Sequence, residues 1–497
     1  MKRILQIIIA IVSVVMSDVS AQTDSNPMDY FGKGQIEPAW ADSGRYVGLD
    51  VVCKVENGEY RNVFDAKRQI LYGVRADGKA VLKNNVSLGG EFAYGYYDRH
   101  EQCWGMLTFA QSSPFYLADD QAGDQVSERY KLKGNVLYKA LQGALKVAGE
   151  FDFLAISTAK QKDIRNKNTY SYYNFKPMLG THLCQWDIMF GYGYSSVSEQ
   201  VTLSRFGDNK QIWINAIEGL WFGQRQSYSE TLFPIRRYNV ERHSGMVNID
   251  GNVGGFLVMA ELLGYKGELE ISLHVEDEME GYTEDKGLRG LLNASTNVHS
   301  LGIEVNSAIC IGYKPLQRRE FSGNSYHYVQ YGKVRRSEKV NNDWSISYQG
   351  NSQQIKWGFR ISKRRKEERM LLYPLVYEQE VKQWHVGANG AYSQNIRSSI
   401  LMLSTDIEYV KDDSPKDIMT NMDNLPNGYH CETKVLEAQY SYETSDRIIL
   451  YPTVSCQIPI KEKSNITLRI GYKSVLTISE TDKGQRHALN VGLRLCM

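Results

Sequence analysis

One property constrains this 497-residue chain more than any other. Apolar and polar side chains exchange places at every residue, in stretches of about 11 residues, near the length that crosses a bilayer at a tilt. At the C-terminus, Leu489, Val491, Leu493, Leu495 and Met497 are apolar, while Asn490, Gly492 and Arg494 lie between them. Tyr130, Leu132, Gly134, Val136 and Tyr138 alternate with Lys131, Lys133, Asn135 and Lys139. After a break near Gly143, Leu145, Val147, Gly149, Phe151 and Phe153 alternate with Lys146, Glu150 and Asp152. A period of two puts successive side chains on opposite faces of a strand. Strands of this length are about twice the usual soluble strand.

Helical spans are excluded by the sequence. Past the first 15 residues no run of about 18 apolar residues occurs, and the mean hydropathy is -0.43. A membrane protein of this kind must be a closed barrel, because lipid offers no partner to backbone N–H and C=O groups. Composition agrees: 33 Tyr and 8 Trp stand against only 11 Pro, and Tyr and Trp fill the interfacial girdles of such barrels. The segment Ile355, Trp357, Phe359, Ile361 fixes the faces. Lys356 and Arg360 between them would each cost roughly 2 to 4 kcal/mol if turned to lipid, so the apolar set faces out and the interior is polar. The same logic makes Lys131, Lys133, Glu150, Asp152, Glu304, Lys356, Arg360 and Arg469 candidates to face the lumen. The expected fold class is all-β, a transmembrane antiparallel β-barrel with an even number of strands between 14 and 18.

Lys2 and Arg3 precede the apolar run Ile4 to Val15, and Val19, Ser20 and Ala21 form a small-residue cleavage site. Residues 1–21 are therefore expected to be a secretory signal peptide, 22–44 a periplasmic lead-in and 45–497 the barrel. Removing Lys2, Arg3 and Asp18 leaves a mature charge of zero, which suggests no nucleic-acid role. The seven Cys are scattered without a C-x-x-C, so neither a disulfide framework nor a zinc site follows. The last nine residues resemble the closing strand of bacterial outer-membrane barrels, with Met497 where those strands commonly end in Phe.

Residues 197–235 lose the period and read as a long surface loop, the best candidate for an external lid or binding loop. Another polar loop is expected over 276–297. Thr433 to Tyr442 reads as a strand, and that parity puts the polar stretch Lys411 to Tyr429 on the periplasmic side, where turns are normally short. The run Lys363, Arg364, Arg365, Lys366, with Arg369, reads as an extracellular turn. It is either solvated, with help from Glu367 and Glu368, or paired with lipopolysaccharide phosphates.

Ser113, Pro114, Phe115, Tyr116, Ala118, Asp119 and Asp120, and then Asp163, Ile164 and Arg165 before a Tyr-rich strand, resemble an uncharacterised family of outer-membrane β-barrel proteins from Bacteroidota-type bacteria. The resemblance implies the outer membrane of a Gram-negative cell, with membrane lipid, lipopolysaccharide and the barrel-assembly machinery as partners. It supplies no catalytic residue. No G-x-S-x-G, H-E-x-x-H or P-loop occurs, and His182, His299 and His385 are the histidines placed to point inward. No cofactor, metal or enzymatic activity is expected. About 25 residues between the cut and Tyr46 leave little room for a preceding plug domain, and both signs of charge on the inner face suit a hydrated lumen. The leading expectation is a porin-like passive pore or diffusion-type transporter of weak ion selectivity. A membrane anchor whose loops bind a partner protein comes second, and an outer-membrane hydrolase third.

Overall fold

A computed structural model describes residues 45–82, 85–109, 113–162, 164–204, 212–228, 235–273, 278–322, 325–373, 375–415, 425, 428–461, 464–478 and 484–497. The expected signal peptide 1–21 and lead-in 22–44 lie outside these residues, as do Asp163 and most of 416–427.

In chain order the strands begin with β1 (Tyr46–Gly58), β2 (Arg68–Leu82), β3 (Val86–Gln102), β4 (Tyr116–Ala118), β5 (Gly123–Ala140), β6 (Leu145–Lys160) and β7 (Arg165–Leu183). Next come β8 (Trp186–Ser204), β9 (Ile212–Gly219), β10 (Phe222–Tyr228), β11 (Arg236–Val253), β12 (Phe256–Leu273), β13 (Met279–Ser295) and β14 (His299–Ser322). Then follow β15 (Ser325–Asn351), β16 (Ile355–Leu372), β17 (Leu375–Ile396), β18 (Ser399–Asp412) and β19 (Tyr429–Cys431). Helix α1 (Thr433–Thr444) precedes β20 (Arg447–Lys461), β21 (Ser464–Thr477) and β22 (Gln485–Cys496).

Eighteen of these strands form one sheet. Each pairs antiparallel with the next barrel strand along the chain, and β22 returns to β1 with Val51 opposite Leu493 and Val55 opposite Leu489. Closure leaves no free edge, and lipid demands this because an unpaired ladder there has no solvent. The count sits at the top of the expected range.

The period of two is realised as two faces. On β22, Leu489 and Leu493 are each 47% exposed on the outside of the barrel, whereas Arg494 turns inward to Asp50 and Asp77. Val47, Leu49 and Val51 on β1, Phe92 on β3, Leu132 on β5, Phe190 on β8, Phe359 on β16 and Leu468 on β21 continue an exposed apolar belt. A soluble monomer rarely exposes a contiguous apolar patch beyond a few hundred Å², so a belt on every sector identifies a wall built for hydrocarbon. Rings mark its borders: Tyr94 meets Tyr130 at 5.0 Å, Tyr173 meets Tyr194 at 6.0 Å, and Tyr348 meets Trp357 at 5.5 Å between centroids.

One end carries only connections of two to four residues, and the C-terminus lies there with it. Five longer connections, 59–67, 103–122, 205–235, 413–446 and 478–484, emerge at the other end. Three expectations are corrected. Residues 279–295 of the proposed 276–297 loop form β13, where Leu288 and Leu292 face out and Asp285 and Arg289 face in. The basic run 363–369 is no turn but part of β16, which continues past the belt. Its side chains therefore split, Arg365 and Arg369 outward to Glu380 and Glu378, Lys366 inward to Glu443. Finally, Thr433–Thr444 is a helix rather than a strand. One strand fewer follows the 411–429 stretch, which puts it at the long-loop end and removes the conflict with short periplasmic turns.

Candidate functional site

The interior was expected to be a hydrated lumen rather than a packed plug, and at the long-loop end a plug fills it. Connections 103–122, 205–235 and 413–446 fold together into a second sheet with the order β19-β10-β9-β4. Ala118 pairs with Asn215, and Phe222 pairs with Cys431, so all three connections are stitched by backbone hydrogen bonds. The sheet packs into the barrel as a plug. Trp221, Phe222, Leu117, Ile214 and Ile217 are fully buried, in one cluster with the wall residues Val201, Leu203, Leu269, Ile271, Met370 and Leu372. Those wall residues point inward from β8, β12 and β16, which is why the lumen-facing positions near this end are apolar.

Of the proposed lid loop 197–235, residues 197–204 continue β8 and 212–228 form an inward wedge rather than an external flap. Its sequence carries the reason: Ile217, Leu220, Trp221 and Phe222 crowd apolar mass into a tight β9–β10 turn. Leu220 and Trp221 both take positive φ, 44° and 63°. Non-glycine residues rarely do so. Packing offsets the strain, since Trp221 stacks on Phe64 at 5.2 Å and meets Trp104 and Tyr116 edge-on at 5.8 and 5.6 Å.

Polar latches fasten each connection to the wall. Lys160 of β6 donates to Asp119 at 2.7 Å, with both side chains buried. Asn168 donates to the Met106 carbonyl at 2.6 Å, while the Thr108 N–H donates to Glu199 at 2.8 Å. Glu218 accepts from Lys314 and from the Tyr429 hydroxyl, the latter at 2.7 Å. Burial and the adjacent Glu218 carboxylate push the Tyr429 phenol above its ordinary range. Helix α1 is held by Lys366, which donates to Glu443 at 2.9 Å, and by Gln439, which accepts from the Trp221 indole. Burial raises the Asp119 carboxyl despite the opposing pull of Lys160. Between the plug and the wall lies a small cavity of about 70 Å³, lined by Tyr116, Trp221, Ala308, Lys339, Asn341 and Glu368 among others.

Below this cavity the wall is charged. Lys131 lies 3.2 Å from Glu91, which also takes Arg75 at 2.8 Å. Glu150 is 4.0 Å from Lys176, and Asp152 lies in the field of Lys131, Lys133 and Lys176. These four candidates, Lys131, Lys133, Glu150 and Asp152, therefore share one sector. Glu304 is elsewhere on β14, 3.0 Å from Arg289, and Arg469 on β21 neighbours Asp406. Lys356 and Arg360 are on β16. The alternation of the sequence carries the Arg494 bridge to Asp50 and Asp77, but nothing in it announces which strands meet at closure.

The three histidines do not converge. His182 bonds Asp187 at 2.7 Å, His299 bonds Tyr348 at 2.8 Å and His385 bonds Glu408 at 2.8 Å, each on a different strand pair. Among the described residues no group of three or more His, Cys, Asp or Glu could hold a metal ion.

No curated protein matches the chain. Similar solved structures include the outer membrane transporter YddB from Escherichia coli, 9% identical over 91% of this chain and 80% of that one, with a TM-score of 0.45. The FrpB iron transporter from Neisseria meningitidis is 8% identical over 91% and 82%, with a TM-score of 0.43. The alcaligin receptor FauA from Bordetella pertussis is 8% identical over 89% and 75%, with a TM-score of 0.41. Likeness at this level decides nothing about cargo. Residues 40–497 match the Family of unknown function (DUF6850), and the chain belongs to that family.

Proposed function

We propose that the protein is an outer-membrane diffusion-type transporter for small polar solutes, closed at its long-loop end by a plug that must move for solute to pass. Membrane lipid and lipopolysaccharide surround its belt, and the barrel-assembly machinery inserts it. The observation that carries this reading is the contrast along the axis. An apolar, latched plug sits over an interior whose inward side chains are charged or hydrogen-bonding on many sectors, with one apolar patch of Leu137, Ala148, Met178, Met189, Met246 and Leu263 toward the short-turn end, an arrangement that suits hydrated cargo better than a packed scaffold. The passive pore or diffusion-type transporter of weak ion selectivity expected from the sequence acquires a gate in this reading.

Planar-bilayer recording tests it. The wild-type protein should be mostly silent, with rare stepwise openings. Trp221→Ala with Phe222→Ala removes two buried aromatic anchors, each worth about 3 to 5 kcal/mol, and should raise open probability at least tenfold. Full burial of the plug core also favours the second reading, a permanently closed anchor whose outer loops bind a partner. Silence in both proteins, with the barrel folded, would favour that anchor and end the transport reading.

A further inference from the structure

Charge on the lumen wall is unevenly neutralised. Several inward cations have a carboxylate: Lys131 has Glu91, Arg289 has Glu304, and Arg494 has Asp50 and Asp77; others, such as Lys133 and Arg469, stand on their strands without an ion pair to any described residue. The inward face of β16 carries two such cations on one strand, four residues apart. There Lys356 and Arg360 have neither an ion pair nor a side-chain hydrogen bond with any described residue. Their neighbours across the ladder are neutral, Asn351 and Ala391 beside Lys356, Ser347 and Gly387 beside Arg360. Farther up, Arg364 pairs with Asp343, and the cavity beside the plug adds Lys339 and Lys366, paired with Glu368 and Glu443. Glu408 reaches Arg360 through the electrostatic field alone, because its side chain is bonded to His385.

Lys356 and Arg360 are four residues apart, about 13 Å along the strand, with Gly358, flanked by the Asn389 and Gln349 side chains, between them. Lys356 enters just above the short turn at 352–354, so the two form successive steps from that mouth toward the cavity. Lys356 is half-buried and Arg360 exposed to the lumen, and a local surplus of one sign concentrates ligands of the other. Arginine also matches planar or tetrahedral oxyanions through paired N–H donors. We infer that Lys356 and Arg360 form a binding step for small oxyanions, of the carboxylate or phosphate class, within the lumen. This deepens the transport reading and rests on it for its purpose, though not for the binding itself.

The test uses the full chain folded in detergent and reads the temperature at which its heat-modifiable band is lost. Inorganic phosphate and acetate are compared with chloride at matched ionic strength, so that general salt effects cancel. Binding should raise the transition by roughly 1 to 3 °C, and Lys356→Gln with Arg360→Gln should abolish the rise. Arg360→Gln alone, a change at a water-facing side chain, should halve it or more if the double variant folds poorly. A rise with phosphate only assigns the phosphate class, and a rise with acetate only the carboxylate class. No rise beyond chloride with either anion, or an equal rise in the variants, would overturn the site. A variant-sensitive rise in a protein that stays silent in bilayers, with or without its plug anchors, would keep the site and remove the transport reading.

Discussion

Phe359 and Lys356 lie three residues apart on β16, yet they meet opposite solvents. Phe359 is 58% exposed in the apolar belt while Lys356 turns inward. Phe359→Arg should therefore cost roughly 2 to 4 kcal/mol and sharply lower the yield of folded barrel, and Lys356→Gln should leave that yield unchanged. Equal yields on a gel that separates folded from unfolded forms would put the strand inside out. Two thiols extend the argument to the plug. Cys184 sits exposed in the short turn between β7 and β8. Burial, helped by Glu432, pushes the Cys431 thiol up to about 12. Because the thiolate is the nucleophile, maleimide at pH 8 should modify Cys184 at least tenfold faster. The Cys431 rate should keep rising through pH 10 without a plateau, and equal rates at pH 8 would show that the plug core is open.

At the scale of elements, the barrel was legible because each wall strand must show two faces to two solvents. Tyr130–Tyr138, Leu145–Phe153 and Leu489–Met497 state this in their order of residues, and the structure pairs them accordingly. Segments with no lipid to satisfy were harder to read. Leu220, Trp221 and Phe222 break the period because they pack in three dimensions against β12, β16 and β17, so a buried wedge looks like an irregular loop. Thr433 to Tyr442 alternates well enough to pass for a strand. Even so, Gln439 donates to Glu443 one turn later at 2.9 Å, and Val435, Leu436 and Tyr440 are buried, so tertiary contact decides for helix. In the candidate site the alternation fixed inwardness, but it could not tell a paired cation from an unpaired one. Pairing depends on register between strands far apart in sequence, as with Arg494 and Asp50. Helix α1 also makes a prediction. Glu443→Gln removes one of the two carboxylates that hold the buried Lys366, leaving Glu368 at 3.5 Å, and should cost less than the roughly 3 to 5 kcal/mol of a buried pair broken outright. It should loosen the plug and raise open probability in bilayers; unchanged gating would mean that α1 follows the plug without restraining it.

For the whole molecule, three solvents explain one chain: hydrocarbon selects the apolar belt, water the charged lumen, and the protein's own loops the apolar upper wall. Eighteen strands enclose more interior than side chains alone can fill, and three long connections occupy one end of it. The central claim is that this sheet closes around the chain and spans the outer membrane. Its most direct test is to express the chain with its own N-terminus in a Gram-negative host, separate the outer membrane, and run that fraction on a denaturing gel with and without boiling. The account predicts recovery in the outer membrane, with a compact, faster-migrating band that converts to the 56.7 kDa position of the full chain, less the proposed signal peptide 1–21, only on heating. A soluble periplasmic monomer whose mobility ignores heat would contradict it.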